Sequence, residues 1–473
     1  MTANQQLPMD RRAFLSGSAG AVGMMALAGL LGAEGAVTTA AAESAGNLSL
    51  PHHRPRAKSV ICLFQHGGPS QVDLFDPKPQ LTRWNGKPYP GQVEAHFVSQ
   101  QGNCLASPFR FGPGGESGIE ICEHLPHTAS IADEITLIRS MVTDSVDHES
   151  ALRLIHGGKF IAGWPTWGSW VIYALGSENQ NLPAYVVLVD PGGLPVDGVR
   201  NWSSGWLPAI YQGTPIRTGK TPVPNLFTPA DVTASARRGQ LEFLQRLNRS
   251  QQQPYLHNTE LEARITNFET AARMQTAVPD ILDLSKETKA TQTLYGLDNP
   301  ATKEYGARCL AARRLIENGV RFVQLFLSGQ PWDTHSQNAK RIQGLCARTD
   351  QPAAALVKDL KQRGLLDSTI VMWCGEFGRL PISQGKDGRD HNRHAFSLWI
   401  AGGGFKAGYT HGGTDAFGYR AVENPVNVHD LHATLLHTLG LDHRRVTFPH
   451  DGRLASLADA DLTHAKVLPE LLA

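Results

Sequence analysis

Apolar runs in this chain repeatedly end in short polar clusters. Arg321–Leu327 (RFVQLFL) runs into Trp332-Asp333-Thr334-His335, and Thr369–Cys374 (TIVMWC) runs into Gly375-Glu376-Phe377-Gly378-Arg379. A third cluster, Gly388-Arg389-Asp390-His391, precedes the apolar run Phe396–Ile400. Earlier, Lys58–Gln65 (KSVICLFQ) leads into His66-Gly67-Gly68, Ile135–Arg139 reads as a second strand, and Leu182–Val189 as a further one. Helical spacing separates the runs, over Thr143–Ile155, over a charged stretch from about Ala230 to Thr276, over Ala301–Asn318, and over Gln351–Arg363 with Gly364 as cap. Strands alternating with helices predict an α/β fold: a three-layer α/β/α sandwich around a mostly parallel sheet.

Composition narrows the class. The chain has 473 residues, 41% of them hydrophobic, and a net charge of +1. No block of like charge stands out, which argues against a nucleic-acid partner. The six cysteines show no CxxC spacing, so a zinc knuckle or dithiol redox site is not expected. Cys104 and Cys122 flank a Gly/Pro-rich loop and would be positioned to pair in an oxidising compartment.

The first residues read as an address. Asp10-Arg11-Arg12-Ala13-Phe14-Leu15 resembles a twin-arginine export signal, an apolar Gly/Ala-rich segment follows, and Ala40-Ala41-Ala42 offers a cleavage site. The apolar segment is short and glycine-interrupted, which argues against a permanent membrane span. The expected organisation is a signal peptide over 1–42, a linker over 43–56, and one α/β domain over 57–473. That domain carries a loop excursion at 77–118 and a helical insertion at about 230–300.

In an open α/β sheet, ligands bind outside the carboxyl ends of the strands. Carboxylates and imidazoles placed there are candidates for metal ligation or acid–base work. Asp333 and His335, two apart in a loop, can point at one site, and a carboxylate with an imidazole suits Zn²⁺, or less specifically Mn²⁺ or Fe²⁺. The plain alternative is Asp333 capping a helix from Thr334. Glu376 is a ligand or base, or else an ion-pair partner of Arg379. His391 is a candidate to complete the site, with Asp390 beside it; His394 ranks lower, and His411 is expected near the same rim. Asp73 is a ligand or a helix cap. Ser145 and Ser150 read as capping residues, whereas His148 stays a site candidate.

Taken in order, the segments HGGPSQVDLFDPKP, SGIEICEHLPH, NWSSGWLPAIYQGTP, WDTH, LLDSTIVMWCGEFGR, GRDHN and AGGGFKAGYTHGGTD resemble the bacterial exported proteins grouped as domain of unknown function 1501. That family is sulfatase-like and belongs to the alkaline phosphatase superfamily, and the resemblance covers nearly everything after residue 55. It implies hydrolysis of phosphate or sulfate esters at a metal centre, commonly with two metals. By position, Asp333, His335 and His391 resemble ligands of the first metal site. Glu376-Phe377 takes the place of an Asp-His pair of the second, and phenylalanine cannot ligate. His66 stands where an aspartate is usual. The nucleophile position falls near Asp147-His148, and no sulfatase signature is present.

The expected function is therefore an exported hydrolase of sulfate or phosphate esters, acting on a small molecule or a polysaccharide. It would use a divalent metal, zinc first, with Mn, Ca or Mg also compatible, and a water activated by that metal. Asp333, His335, His391, Glu376 and Asp390 are the expected ligands; Glu376, His148 and His66 are the expected acid–base groups. The rival expectation is a non-catalytic protein of the same fold that binds sulfated or phosphorylated polysaccharide at the cell surface.

Overall fold

The computed structural model describes residues 51–219, 222–223, 232–252 and 259–473. The export signal and the start of the linker lie outside these residues, as do short parts of the helical insertion. The central sheet is built from β1 (Ser59–Phe64), β2 (Ile135–Val142), β3 (Tyr185–Leu188), β4 (Thr214–Ile216), β5 (Phe322–Leu325), β6 (Thr369–Cys374), β7 (Phe396–Ala401), β8 (Tyr409–His411) and β9 (Val426–Asn427). Their spatial order is β8-β2-β7-β6-β1-β5-β3-β4, with β9 also on β2. β7 runs antiparallel to both its neighbours, while the other pairings are parallel.

Alternation along β1 explains the layers. Ile61 and Leu63 enter one hydrophobic core, whereas Val60, Cys62 and Phe64 enter the other, and all five are at most 1% exposed. A strand buried on both faces reads as an unbroken apolar run, because successive side chains point to opposite sides. The first core is covered by α5 (Lys303–Glu317), α6 (Asn338–Gln362) and the end of α4 (Thr259–Ile281), which follows α3 (Ala234–Gln252) in the helical insertion. The second is covered by α1 (His148–Gly157), α2 (Trp167–Leu175) and α7 (Val428–Thr438). Those two faces make a three-layer α/β/α sandwich with a mostly parallel sheet.

Several elements differ from the sequence expectation. Helix α6 begins at Asn338, not Gln351, and carries Pro352 inside it. Proline is easily mistaken for a first-turn residue, since its missing N–H costs least there. The excursion at 77–118 is not all loop: strand Gln101–Cys104 pairs with Ile382–Gln384, and Phe111–Gly114 pairs with Ile119–Cys122 in a hairpin. Cys104 and Cys122 are both buried free thiols, so the disulfide does not form. Among the described residues no helix is long and apolar enough to cross a membrane.

Candidate metal centre

Strands β6, β1 and β5 are adjacent and parallel, so the loops that follow them share one edge of the sheet. The loop after β1 supplies His66 and Gly67, the loop after β5 supplies Asp333 and His335, and the loop after β6 supplies Glu376. Gly67 has a left-handed backbone (φ +108), and a Cβ on it would fall 2.3 Å from the Asp333 nitrogen. Only glycine lets the two loops approach that closely. Gly388 plays the same part beside His335, whose carbonyl oxygen lies 1.8 Å from the position a Cβ would take.

Three side chains from distant parts of the chain converge there. Asp333 Oδ1 lies 2.9 Å from His335 Nε2 and 3.3 Å from His391 Nε2, and the two Nε2 atoms are 3.0 Å apart. Ligand atoms at about 2.0–2.1 Å from a tetrahedral zinc sit about 3.3 Å from one another. The spacing therefore fits three ligands of one cation. The outer partners fit as well. His391 Nδ1 lies 2.5 Å from the Val146 carbonyl oxygen, which can only accept. His335 Nδ1 meets Gln384 Oε1, and that amide is oriented by its Nε2 donating to Gln100 Oε1 at 2.7 Å. Both ring protons are thus held on Nδ1, and both Nε2 lone pairs face the Asp333 carboxylate, as metal-ligating imidazoles require.

His148 opens helix α1 and reaches the same carboxylate from the other side. Its Nε2 is 3.4 Å from Asp333 Oδ1, and its Nδ1 is 2.6 Å from Glu376 Oε1. Glu376 is fully buried; its Oε1 also accepts the Gly67 N–H at 2.9 Å, and its Oε2 has no partner among the described residues. Burial opposes charge on His148, but the Asp333 and Glu376 carboxylates beside it prevail and raise it to about 9. Burial lowers His391 to about 4. Burial also opposes the charge on Asp333, yet His148 and the Arg379 guanidinium beside it hold it well below the usual carboxylate range.

The remaining candidates divide cleanly. Asp390 lies near His335 and His391, but Oδ2 accepts the Phe97 N–H at 2.7 Å and Oδ1 accepts the His391 N–H at 2.8 Å. His66 is fully buried against Phe64 and Phe326, and neither ring nitrogen has a partner among the described residues. Burial pushes it well below the ordinary histidine value. Asp73 is consumed by Arg389, through contacts of 2.7 and 3.0 Å. His411 has Glu470, Asn424 and Lys406 as its electrostatic neighbours, none of them a member of this cluster. Ser145 and Ser150 bond each other and Asp147, which caps α1. Helix capping by Asp333 does not occur, because α6 starts at Asn338.

Arg379 pairs with Asp333 at 2.6 Å, not with Glu376, and also donates to the Gly68 carbonyl. Phe377 packs its ring against His148 and His391, with centroids 4.7 and 4.5 Å away, giving the centre an apolar wall. The excursion covers the opposite side: His96 stacks on His391 at 5.1 Å and Phe97 meets His335 edge-on at 5.2 Å. Neither His96 nor Phe97 stands in an apolar-run context, so no sequence signal placed them here.

Residues 57–472 match the family model described as protein of unknown function (DUF1501). No curated protein matches the chain in sequence. Among solved structures, Ps i-CgsB in complex with k-i-k-neocarrahexaose is 10% identical, covering 87% of this chain and 77% of that one, with a TM-score of 0.38. The PsFucS1 sulfatase from Pseudoalteromonas sp. is 11% identical over 85% and 71%, with a TM-score of 0.32. The phosphonate monoester hydrolase SpPMH from Silicibacter pomeroyi is 11% identical over 87% and 77%, with a TM-score of 0.33. All three scores lie below 0.5, and the fold stands on the sheet and layers described above.

Proposed function

The chain belongs to the DUF1501 family, and on that premise we propose that it is a metal-dependent hydrolase of sulfate or phosphate esters. The observation that carries the reading is the meeting of Asp333 Oδ1, His335 Nε2 and His391 Nε2 within 3.3 Å of one another, with both ring protons held on the far nitrogens. In this reading those three residues hold one divalent cation, zinc first. When bound, such a cation supplies Lewis-acid activation of an ester oxygen or a water. Three protein ligands leave a coordination position for substrate, as catalytic rather than structural zinc sites do.

His148 and Glu376 act as the acid–base pair in this proposal. Glu376 holds the proton of His148 Nδ1 and raises the basicity of the ring, so His148 Nε2 carries a proton at neutral pH and can deliver it to the leaving-group oxygen. Arg379 keeps Asp333 ionised and oriented. His66 packs behind this pair as a neutral ring. Phe377 excludes water from one side and supplies no second-metal ligand, which favours a single cation.

The test is hydrolysis of aryl sulfate and aryl phosphate esters by the purified chain, before and after chelation. Turnover that chelation abolishes and added zinc restores supports the reading. A folded, cation-loaded protein that turns over neither ester, yet binds sulfated polysaccharide, would establish the non-catalytic alternative.

We further propose that the chain is exported by the twin-arginine route, on the strength of Arg11, Arg12, Phe14 and Leu15 and the apolar stretch after them. Fusion of residues 1–45 to a reporter tests this: export should stop when Arg11 and Arg12 are both changed to Lys.

A further inference from the structure

Residues 94–100 of the excursion cross the Asp333 centre as a strap, tied at both ends to residues that serve its imidazoles. At one end Glu94 pairs with Arg393 at 3.0 Å and with His394 at 2.9 Å, two and three residues after His391. At the other, Gln100 Oε1 accepts from Gln384, the residue that meets the His335 ring. Between them the Phe97 N–H donates to Asp390 at 2.7 Å. Val93 and Ala95 pack inward on Leu380, Ile382 and Tyr419. These anchors fix where His96 and Phe97 stand.

Four rings then close a circuit. His96 lies 5.1 Å from His391, His391 4.7 Å from His335, His335 5.2 Å from Phe97, and Phe97 4.6 Å from His96. His335 is the most open member of the centre, with 27% of its side chain exposed against 4% to 11% for Asp333, His148 and His391. A substrate therefore reaches the centre on the side where Phe97 stands. Phe97 and Val98 are themselves 39% and 73% exposed. Apolar surface left open at the mouth of a polar site suits the carbon skeleton of a ligand.

His96 is exposed, and its ring nitrogens have no hydrogen-bond partner among the described residues. Its stack on His391 is near parallel, with 19° between the planes, so the contact uses the ring face and leaves the nitrogens at the edge free. A neutral imidazole offers one donor and one acceptor, the complement of a hydroxyl, which is also both. Asp147 is an electrostatic neighbour of His96, and a second anionic group there would meet its carboxylate.

We infer that His96, Phe97 and Val98 form the leaving-group subsite of the Asp333 centre. Phe97 and Val98 take the apolar face of a ring, and His96 hydrogen-bonds a hydroxyl on the carbon next to the ester oxygen. The inference rests on the hydrolase reading of that centre. It narrows the substrate to the ester of a cyclic alcohol that carries a neighbouring hydroxyl.

Ethyl, cyclohexyl and trans-2-hydroxycyclohexyl esters, each as sulfate and as phosphate, separate the two contacts. His96→Phe keeps a ring on His391 and removes both nitrogens; Phe97→Ala removes the wall. With zinc-loaded protein, kcat/KM in the wild type should be at least tenfold higher for the hydroxycyclohexyl ester than for the ethyl ester. His96→Phe should lose at least fivefold more on the hydroxycyclohexyl than on the cyclohexyl ester, and Phe97→Ala at least fivefold more on the cyclohexyl than on the ethyl ester. Either variant affecting its two esters equally, or not at all, would overturn the subsite. Calorimetric titration with the hydroxycyclohexyl esters covers the case without turnover. Binding that His96→Phe weakens at least fivefold, with no ester hydrolysed, would refute the hydrolase reading and leave the subsite standing; neither binding nor turnover would overturn both.

Discussion

His335 and His391 face each other nitrogen to nitrogen, with their Nε2 atoms 3.0 Å apart and each ring proton directed away, toward Gln384 and toward Val146. Two lone pairs this close repel unless a proton or a cation lies between them. Burial disfavours a proton on His391, and Asp333 adds a carboxylate to the same point. A divalent cation satisfies all three atoms at once.

The outer partners should matter in proportion. Gln384→Leu removes the acceptor that holds the His335 ring proton on Nδ1. Loss of such a partner costs about 10–100-fold in metal affinity. Competition against a chromogenic zinc chelator would read the change, and an affinity equal to wild type would show that Gln384 does not orient the ring.

The pH dependence of turnover should carry the mark of His148. Its value is raised to about 9, so the acid form is present below that pH and is lost as pH rises through it. The rate should fall on the alkaline side as His148 loses that proton. Glu376→Gln removes the charge that supports this shift, and the midpoint should move down toward the ordinary histidine value of about 6.5. A pH–rate profile that is the same in both proteins would remove His148 from the acid role.

Stability should depend strongly on a pair that takes no part in the chemistry. Asp73 and Arg389 are both fully buried and joined through two contacts. Asp73 also accepts from Ser70 and Asn338. Breaking a buried pair from one side costs about 3–5 kcal/mol, so Asp73→Asn should lower urea-unfolding stability by that order while any folded fraction still binds zinc. A stability within 1 kcal/mol of wild type would contradict the account of this pair.

Much of this arrangement was legible in the chain, and the reason is the sheet. Strands β1, β5 and β6 are buried on both faces, so they appear as unbroken apolar runs, and whatever polar residues follow them land on one edge. Asp333, His335 and Glu376 were found that way, and His391 by its place in a polar loop between strands. Partnerships across long sequence separations left no local trace. His148 and Glu376 are 228 residues apart, and nothing near Arg379 indicated that Asp333, rather than Glu376, would take its charge. Asp390 stands close to His335 and His391, as its residue type suggested, and each of its oxygens also accepts a backbone amide. His96 sits in a Pro/Gly-rich stretch where no periodicity predicts direction, and Pro352 concealed the first half of α6.

The most direct measurement is elemental analysis of the purified full-length chain by plasma mass spectrometry, alongside Asp333→Ala and His391→Ala. One divalent cation per chain in the wild type, and less than a tenth of that in either folded variant, is the result expected. A wild type that stays metal-free after incubation with zinc, or variants that retain a full equivalent, would contradict the claim that Asp333, His335 and His391 share one ion.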